Sequence, residues 1–164
     1  MMNLKLLSNR QIPGIPKTII LPYVLLALLG FADASYLTIS HYQGKIPPCS
    51  LVNGCEKVLT SGYATILGIP TALFGAIFYL TLFVLVLLYL DSKKTWTIGL
   101  CVYLSFIGFL VSLILLYLQV FVIGALCFYC LVSGFINLLL SAHSSWLFYT
   151  LQHRNFFEPS TPKF

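Results

Sequence analysis

Cys127-Phe128-Tyr129-Cys130 is the stretch of this chain best suited to chemistry. A Cys-x-x-Cys pair can cycle between dithiol and disulfide, and its thiolate is the reactive form. At the start of a helix, residues i and i+3 share one face. Unpaired N–H groups and the positive end of the helix dipole then favour a thiolate. Helical Cβ atoms at that spacing lie about 5–6 Å apart, whereas a disulfide wants about 3.5–4.5 Å. The first turn must therefore adjust if the pair is to close. Cys49 and Cys55 form a second pair far upstream, and Cys101 stands alone. Four paired cysteines allow three connectivities, and spacing does not choose among them. Taken alone, the upstream pair reads equally as an exchanging carrier or as a static staple. A second dithiol downstream on the same face favours exchange.

That shared face follows from the elements around the cysteines. The chain has 164 residues, 59% of them hydrophobic and only 8% charged. A soluble domain carries roughly 25% charged residues, so this composition reads as a multi-span membrane protein. Four long apolar runs are visible: 18–40, 69–90, 96–118 and 125–149. Each has the ~20 residues needed to cross about 30 Å of hydrocarbon as a helix. Helices are required because lipid offers no partner for bare backbone groups. The fold class expected is an all-α integral membrane bundle of four transmembrane helices. Residues 1–17 and 151–164 are expected as tails, and 18–150 as the membrane domain. Between the first two runs, residues 41–68 form a loop rich in Gly and Pro. Its second half, from Glu56 to Thr65, is only mildly polar and is expected as a short half-helix capping the bundle. Pro70 is expected in the first turn of the second span, where a missing N–H costs little.

Four spans put both termini on one side. Lys5, Arg10, Lys17, Lys93, Lys94, Arg154 and Lys163 fall on that side, and Lys45 and Lys57 on the other. The excess predicts cytoplasmic termini by the positive-inside rule. The Cys49/Cys55 loop and the Cys127/Cys130 edge then share the extracytoplasmic face, where disulfides persist. The net charge of +5 sits at segment ends, so it reads as orientation rather than nucleic-acid binding. Ala32-Asp33-Ala34 resembles a small-residue cleavage site, but its acid argues for an uncleaved first span. Asp33 itself either faces the bundle interior or reaches interfacial water. Four thiols could also hold zinc, although structural zinc prefers closer pairs in polar modules. Cys101 reads as packing and His41 as a solvated interfacial residue. Phe74, Phe78, Tyr79, Phe128 and Tyr129 could line a pocket for a flat ring, although packing explains any one of them.

Several pieces together resemble one family. They are Cys49-x5-Cys55-Glu-Lys-Val-Leu-Thr-Ser61, Tyr63-Ala64, Gly68-Ile-Pro70, Leu73-Phe-Gly75 and Cys127-x-x-Cys130. With Gly30-Phe-Ala-Asp33-Ala-Ser-Tyr36-Leu-Thr38 in the first span, they resemble the bacterial branch of the vitamin K epoxide reductase family over about residues 18–150. The other four-helix thiol–quinone family has its two cysteine pairs in the reverse order. The resemblance implies a membrane thiol–quinone oxidoreductase of the inner membrane, with a quinone (ubiquinone or menaquinone) in the bundle. Its partner would be a thioredoxin-like or DsbA-like extracytoplasmic protein. Cys49 would be attacked by the partner thiol, Cys55 would attack Cys127, and Cys130 would face the ring. Ser61 would orient or polarise the relay. Phe74, Phe78, Tyr79, Thr71 and Phe128 would neighbour the quinone. The animal enzymes hold their quinone with an Asn in the second span and a Tyr four residues after the last cysteine; here those positions are Thr71 and Gly134. Quinone reduction is therefore expected over epoxide reduction. Many bacterial members carry a fused thioredoxin-like domain, which this sequence lacks, so a separate partner is expected. A membrane protein with structural disulfides or a thiolate metal site is the non-enzymatic alternative.

Overall fold

In the computed structural model, residues 17–49, 54–92 and 95–157 are described. Most of both terminal tails, the residues between the upstream cysteines and the Lys93–Lys94 pair lie outside them. Four helices are long and apolar enough to cross a membrane: Ile20–Tyr42, Thr71–Asp91, Trp96–Ile123 and Phe128–Thr150. The full elements are α1 (Lys17–Tyr42), α2 (Cys55–Leu59), β1 (Thr65–Ile66), β2 (Ile69–Pro70), α3 (Thr71–Ser92), α4 (Thr95–Tyr117) and α5 (Phe128–Phe157). A π-helical turn, Leu118–Ile123, continues α4 to the end of its span.

α1 packs against α3 and α5, and α4 packs against the same two, so the helices close a ring. The core is apolar, with Tyr79, Leu82 and Leu140 fully buried. Polar ties cross it sparingly. The Tyr23 and Ser105 hydroxyls share a hydrogen bond of 2.9 Å between α1 and α4. Tyr79 of α3 donates to the Ser133 carbonyl of α5 at 2.9 Å. Its ring lies across Gly30 of α1, where a Cβ would overlap it. Outward-facing Leu, Ile and Phe side chains cover the spans, as lipid contact requires.

Three local expectations need correction. The cap after Cys55 is one short helix, α2, followed by a hairpin pairing Thr65 with Pro70 and Ile66 with Ile69. The expected half-helix is present but ends at Leu59, short of Thr65, because Thr60 and Ser61 turn back onto α2. Pro70 ends β2 instead of opening α3, and the Thr71 N–H bonds the Ala64 carbonyl at 2.9 Å. The connection expected at 119–124 is largely helical, and α5 begins at Phe128 rather than near 125. The irregular residues left are 124–127.

Candidate functional site

All four paired cysteines gather at one end of the bundle. Cys55, Val58 and Cys127 form a small buried cluster, with Cys49 and Cys130 packed around it. Cys49 and Cys55 are joined as a disulfide, with Cα atoms 6.2 Å apart. Cys127 and Cys130 are free thiols. Cys55 and Cys127 are both buried, whereas Cys49 is partly exposed. The upstream pair thus has one partly exposed member, Cys49, and one buried member, Cys55, which shares a cluster with Cys127.

Sequence features bring these loops so close. A Cβ on Gly54 would stand 2.5 Å from the Leu126 carbonyl oxygen and 2.7 Å from its nitrogen. Only glycine lets the backbone before Cys55 press on the backbone before Cys127. Gly124 ends the π-helical turn with φ of 62°, a left-handed conformation suited to glycine. Gln119 then anchors the returning chain twice. Its carbonyl accepts from the Ala125 N–H at 3.0 Å, and its side-chain Oε1 accepts from the Cys127 N–H at 2.9 Å. Tyr129 holds the outer loop by donating to the Pro48 carbonyl at 3.2 Å, and its ring lies 5.5 Å from that of Tyr36.

Cys127 caps α5. It lies just before the helix, and its carbonyl accepts from the Leu131 N–H at 3.0 Å. A side chain at this position collects the unpaired N–H groups of the first turn. The Cys127 thiol is accordingly pushed down to about 7. The largest cause is a hydrogen bond from the Cys130 thiol; burial opposes it, and the N–H groups of Cys130 and Tyr129 reinforce it. A thiolate is thereby available near neutral pH.

Beneath the cysteines the four helices enclose a cavity of about 330 Å³, within the usual size of a small-ligand site. Cys130, Ser61, Thr71, Phe74, Phe78 and Tyr79 line it. Phe128 does not line it; it packs on the Cys55/Cys127 cluster with its ring against Tyr129. The Thr71 hydroxyl faces the carbonyls of Ala64 at 3.0 Å and Tyr63 at 3.2 Å, so its proton is held by the loop. The Ser61 hydroxyl donates to the Val58 carbonyl at 2.6 Å. It braces the helix carrying Cys55 rather than donating to a sulfur. At Gly134 an added Cβ would meet only Ser112, at 3.9 Å.

The wall is mostly apolar, but two buried oxygens in it have no hydrogen-bond partner. These are Asp33 Oδ2 and Asn137 Oδ1. Asn137 donates its amide to the Ser112 hydroxyl at 2.7 Å, which leaves its other end to the cavity. Buried polar atoms normally find partners, so these two point to a polar ligand. A flat ring bearing two oxygens, as in a quinone, fits such a space. Of the alternatives for Asp33, the structure selects the bundle interior. Asn137 and Gln119 were not singled out from sequence. Asn137 lies seven residues after Cys130, two turns along the same helix face, and that spacing was the available signal. Gln119 gave only its polarity inside an apolar run.

Two dithiol pairs stacked over a ring-sized cavity, within four apolar helices, define a membrane thiol oxidoreductase. Residues 21–145 match the model of the Vitamin K epoxide reductase family, and the chain belongs to that family. Members of this family move electrons between thiols and quinones across such cysteine pairs. A search of curated proteins returns no match.

Proposed function

We propose that this protein oxidises a thioredoxin-like extracytoplasmic protein and reduces a membrane quinone, driving disulfide formation outside the cytoplasm. The observation that carries this reading is the packing of Cys55 and Cys127 in one buried cluster, with Cys130 of the second pair in the cavity wall. Cys49, the partly exposed sulfur, takes the partner's thiolate. A second partner thiol resolves that mixed disulfide, leaving Cys49 and Cys55 as a dithiol. The Cys55 thiolate then attacks Cys127 in an oxidised Cys127–Cys130 pair, and Cys130 leaves. Attack of Cys49 on Cys55 expels Cys127. A leaving thiol of low pKa departs faster, so the N-capped Cys127 favours this last step. The result is a Cys49–Cys55 disulfide beside a Cys127/Cys130 dithiol.

A quinone supplies a two-electron acceptor that needs two protons. Phe74, Phe78 and Tyr79 would hold its ring, Cys130 would meet it from above, and Asn137 would contact an oxygen. Cytoplasmic termini, with all four redox cysteines outside, follow from the excess of Lys and Arg on the terminal side. Thr71 and Gly134 replace the quinone-binding Asn and Tyr of the animal enzymes. That favours quinone over epoxide as the acceptor. A purely structural role accounts for the Cys49–Cys55 bond but not for an N-capped thiol beside a cavity.

The test is to mix purified protein with a reduced thioredoxin-like protein and a short-chain ubiquinone or menaquinone. Oxidation of the partner should match quinone loss mole for mole. Partner oxidation with no quinone consumed would overturn the reading.

A further inference from the structure

Asp33 is the one acidic side chain in the cavity wall among the described residues, and the relay above does not use it. It sits within α1 with Oδ2 buried and unbonded. Ionisable residues inside spans are costly to bury and mark function by default. Asp33 stands close enough to Cys127, Cys130 and Tyr79 to act on all three electrostatically. The titratable groups around it are those three, Tyr129 on α5 and His41 on its own helix. The α4 residues of the wall, Ile107, Gly108, Val111, Ser112 and Leu115, bring none. Asp33, Leu37 and His41 follow one another at steps of four along a single face, and all three line the cavity. His41 is exposed, so this face runs from the aqueous edge to the carboxyl over roughly 12 Å.

Proton balance says what a carboxyl is needed for. Reducing a quinone to a hydroquinone takes two electrons and two protons. The dithiol supplies both electrons. With Cys127 present as thiolate, it supplies only one proton, that of Cys130.

Resting on the function proposed above, we infer that Asp33 is the acid that delivers the second proton to the quinone. The balanced step is Cys127 thiolate, Cys130 thiol, Asp33 carboxylic acid and quinone giving the Cys127–Cys130 disulfide, Asp33 carboxylate and hydroquinone. The two thiols are oxidised and the ring is reduced. Charge is unchanged, and Asp33 regains its proton from water entering past His41.

Asp33→Asn keeps the shape of the side chain and removes the acid. Positioned acids contribute about 10²–10⁴-fold. Single-turnover reduction of a short-chain quinone by the Cys127/Cys130 dithiol should slow about 100-fold in Asp33→Asn, with Asp33→Glu recovering part of the loss. Equilibrium dialysis should show that quinone still saturates Asp33→Asn, so the two rates are compared at saturating quinone. Time-resolved infrared difference spectra after quinone is mixed with the native dithiol should show a carboxylic-acid carbonyl band lost transiently, before Asp33 is reprotonated, and Asp33→Asn should lack that change. An Asp33→Asn protein as fast as native, or one that keeps the band, overturns the assignment alone. A native protein that reduces no quinone overturns the function beneath it as well. Exchange of a reduced partner with Cys49–Cys55 should be unaffected, and its loss in Asp33→Asn would also overturn the assignment.

Discussion

The two cysteine pairs differ in how they are held. Cys49 and Cys55 flank a loop, with one sulfur toward solvent and one buried. Cys127 and Cys130 are fixed by the start of α5, by Gln119 and by the ring of surrounding spans. A pair that meets another protein needs an accessible sulfur. A pair that serves a lipid-soluble ring needs dry surroundings and fixed N–H donors. The difference teaches that the outer pair gains its reactivity from access and the inner pair from position. Gly54 is where the two meet, and there the chain must do without a side chain.

The comparison breaks most severely at Cys130. Cys130→Ala should abolish quinone reduction, yet a single round of exchange between a reduced partner and the Cys49–Cys55 disulfide should persist, read as partner disulfide formed by alkylation and non-reducing gels. Next in size is the contact between the pairs. Gly54→Ala should separate the two loops and slow transfer from Cys55 to Cys127 more than 10-fold, measured by quenched-flow alkylation, because its Cβ meets backbone at 2.5 Å. Gln119→Met keeps volume but leaves the buried Cys127 N–H without a partner. A buried unpaired donor costs about 1–3 kcal/mol, so thermal unfolding in detergent should shift down while the fold persists. The smallest effect concerns ionisation alone. With the outer pair oxidised, thiolate absorbance should rise as pH climbs through about 7, the value to which Cys127 is lowered. Below that pH the thiol form prevails. Cys130→Ala removes the largest lowering cause, so the midpoint should move up toward the ordinary cysteine range of ~8.5.

The sequence made the four spans legible because lipid forces a single solution on apolar runs of about 20 residues. The pairing of faces was legible through the spacing of those runs, since one crossing separates the loop from the first terminus and two further crossings return the chain to the same face at Cys127. The fine structure of the thiol end was not. The β-hairpin, the π-helical turn and the late start of α5 arise from contacts between segments remote in sequence. Gln119 reaching Cys127 and Gly54 pressing on Leu126 are examples. Asn137 escaped notice because one amide among apolar residues carries no local signal, and only the cavity reveals that its oxygen is unbonded. Phe128 was one of several aromatics that could line a pocket or simply pack, and it packs on the sulfur cluster.

Direct passage of electrons from Cys55 to Cys127 is the step on which the rest depends. A protein carrying Cys49→Ala and Cys130→Ala leaves those two thiols without their usual partners. Mild oxidation should join Cys55 to Cys127 within one chain, recovered as a single cross-linked peptide pair by mass spectrometry. If both thiols stay free, or are bridged only between separate molecules, the two pairs do not exchange and the account fails.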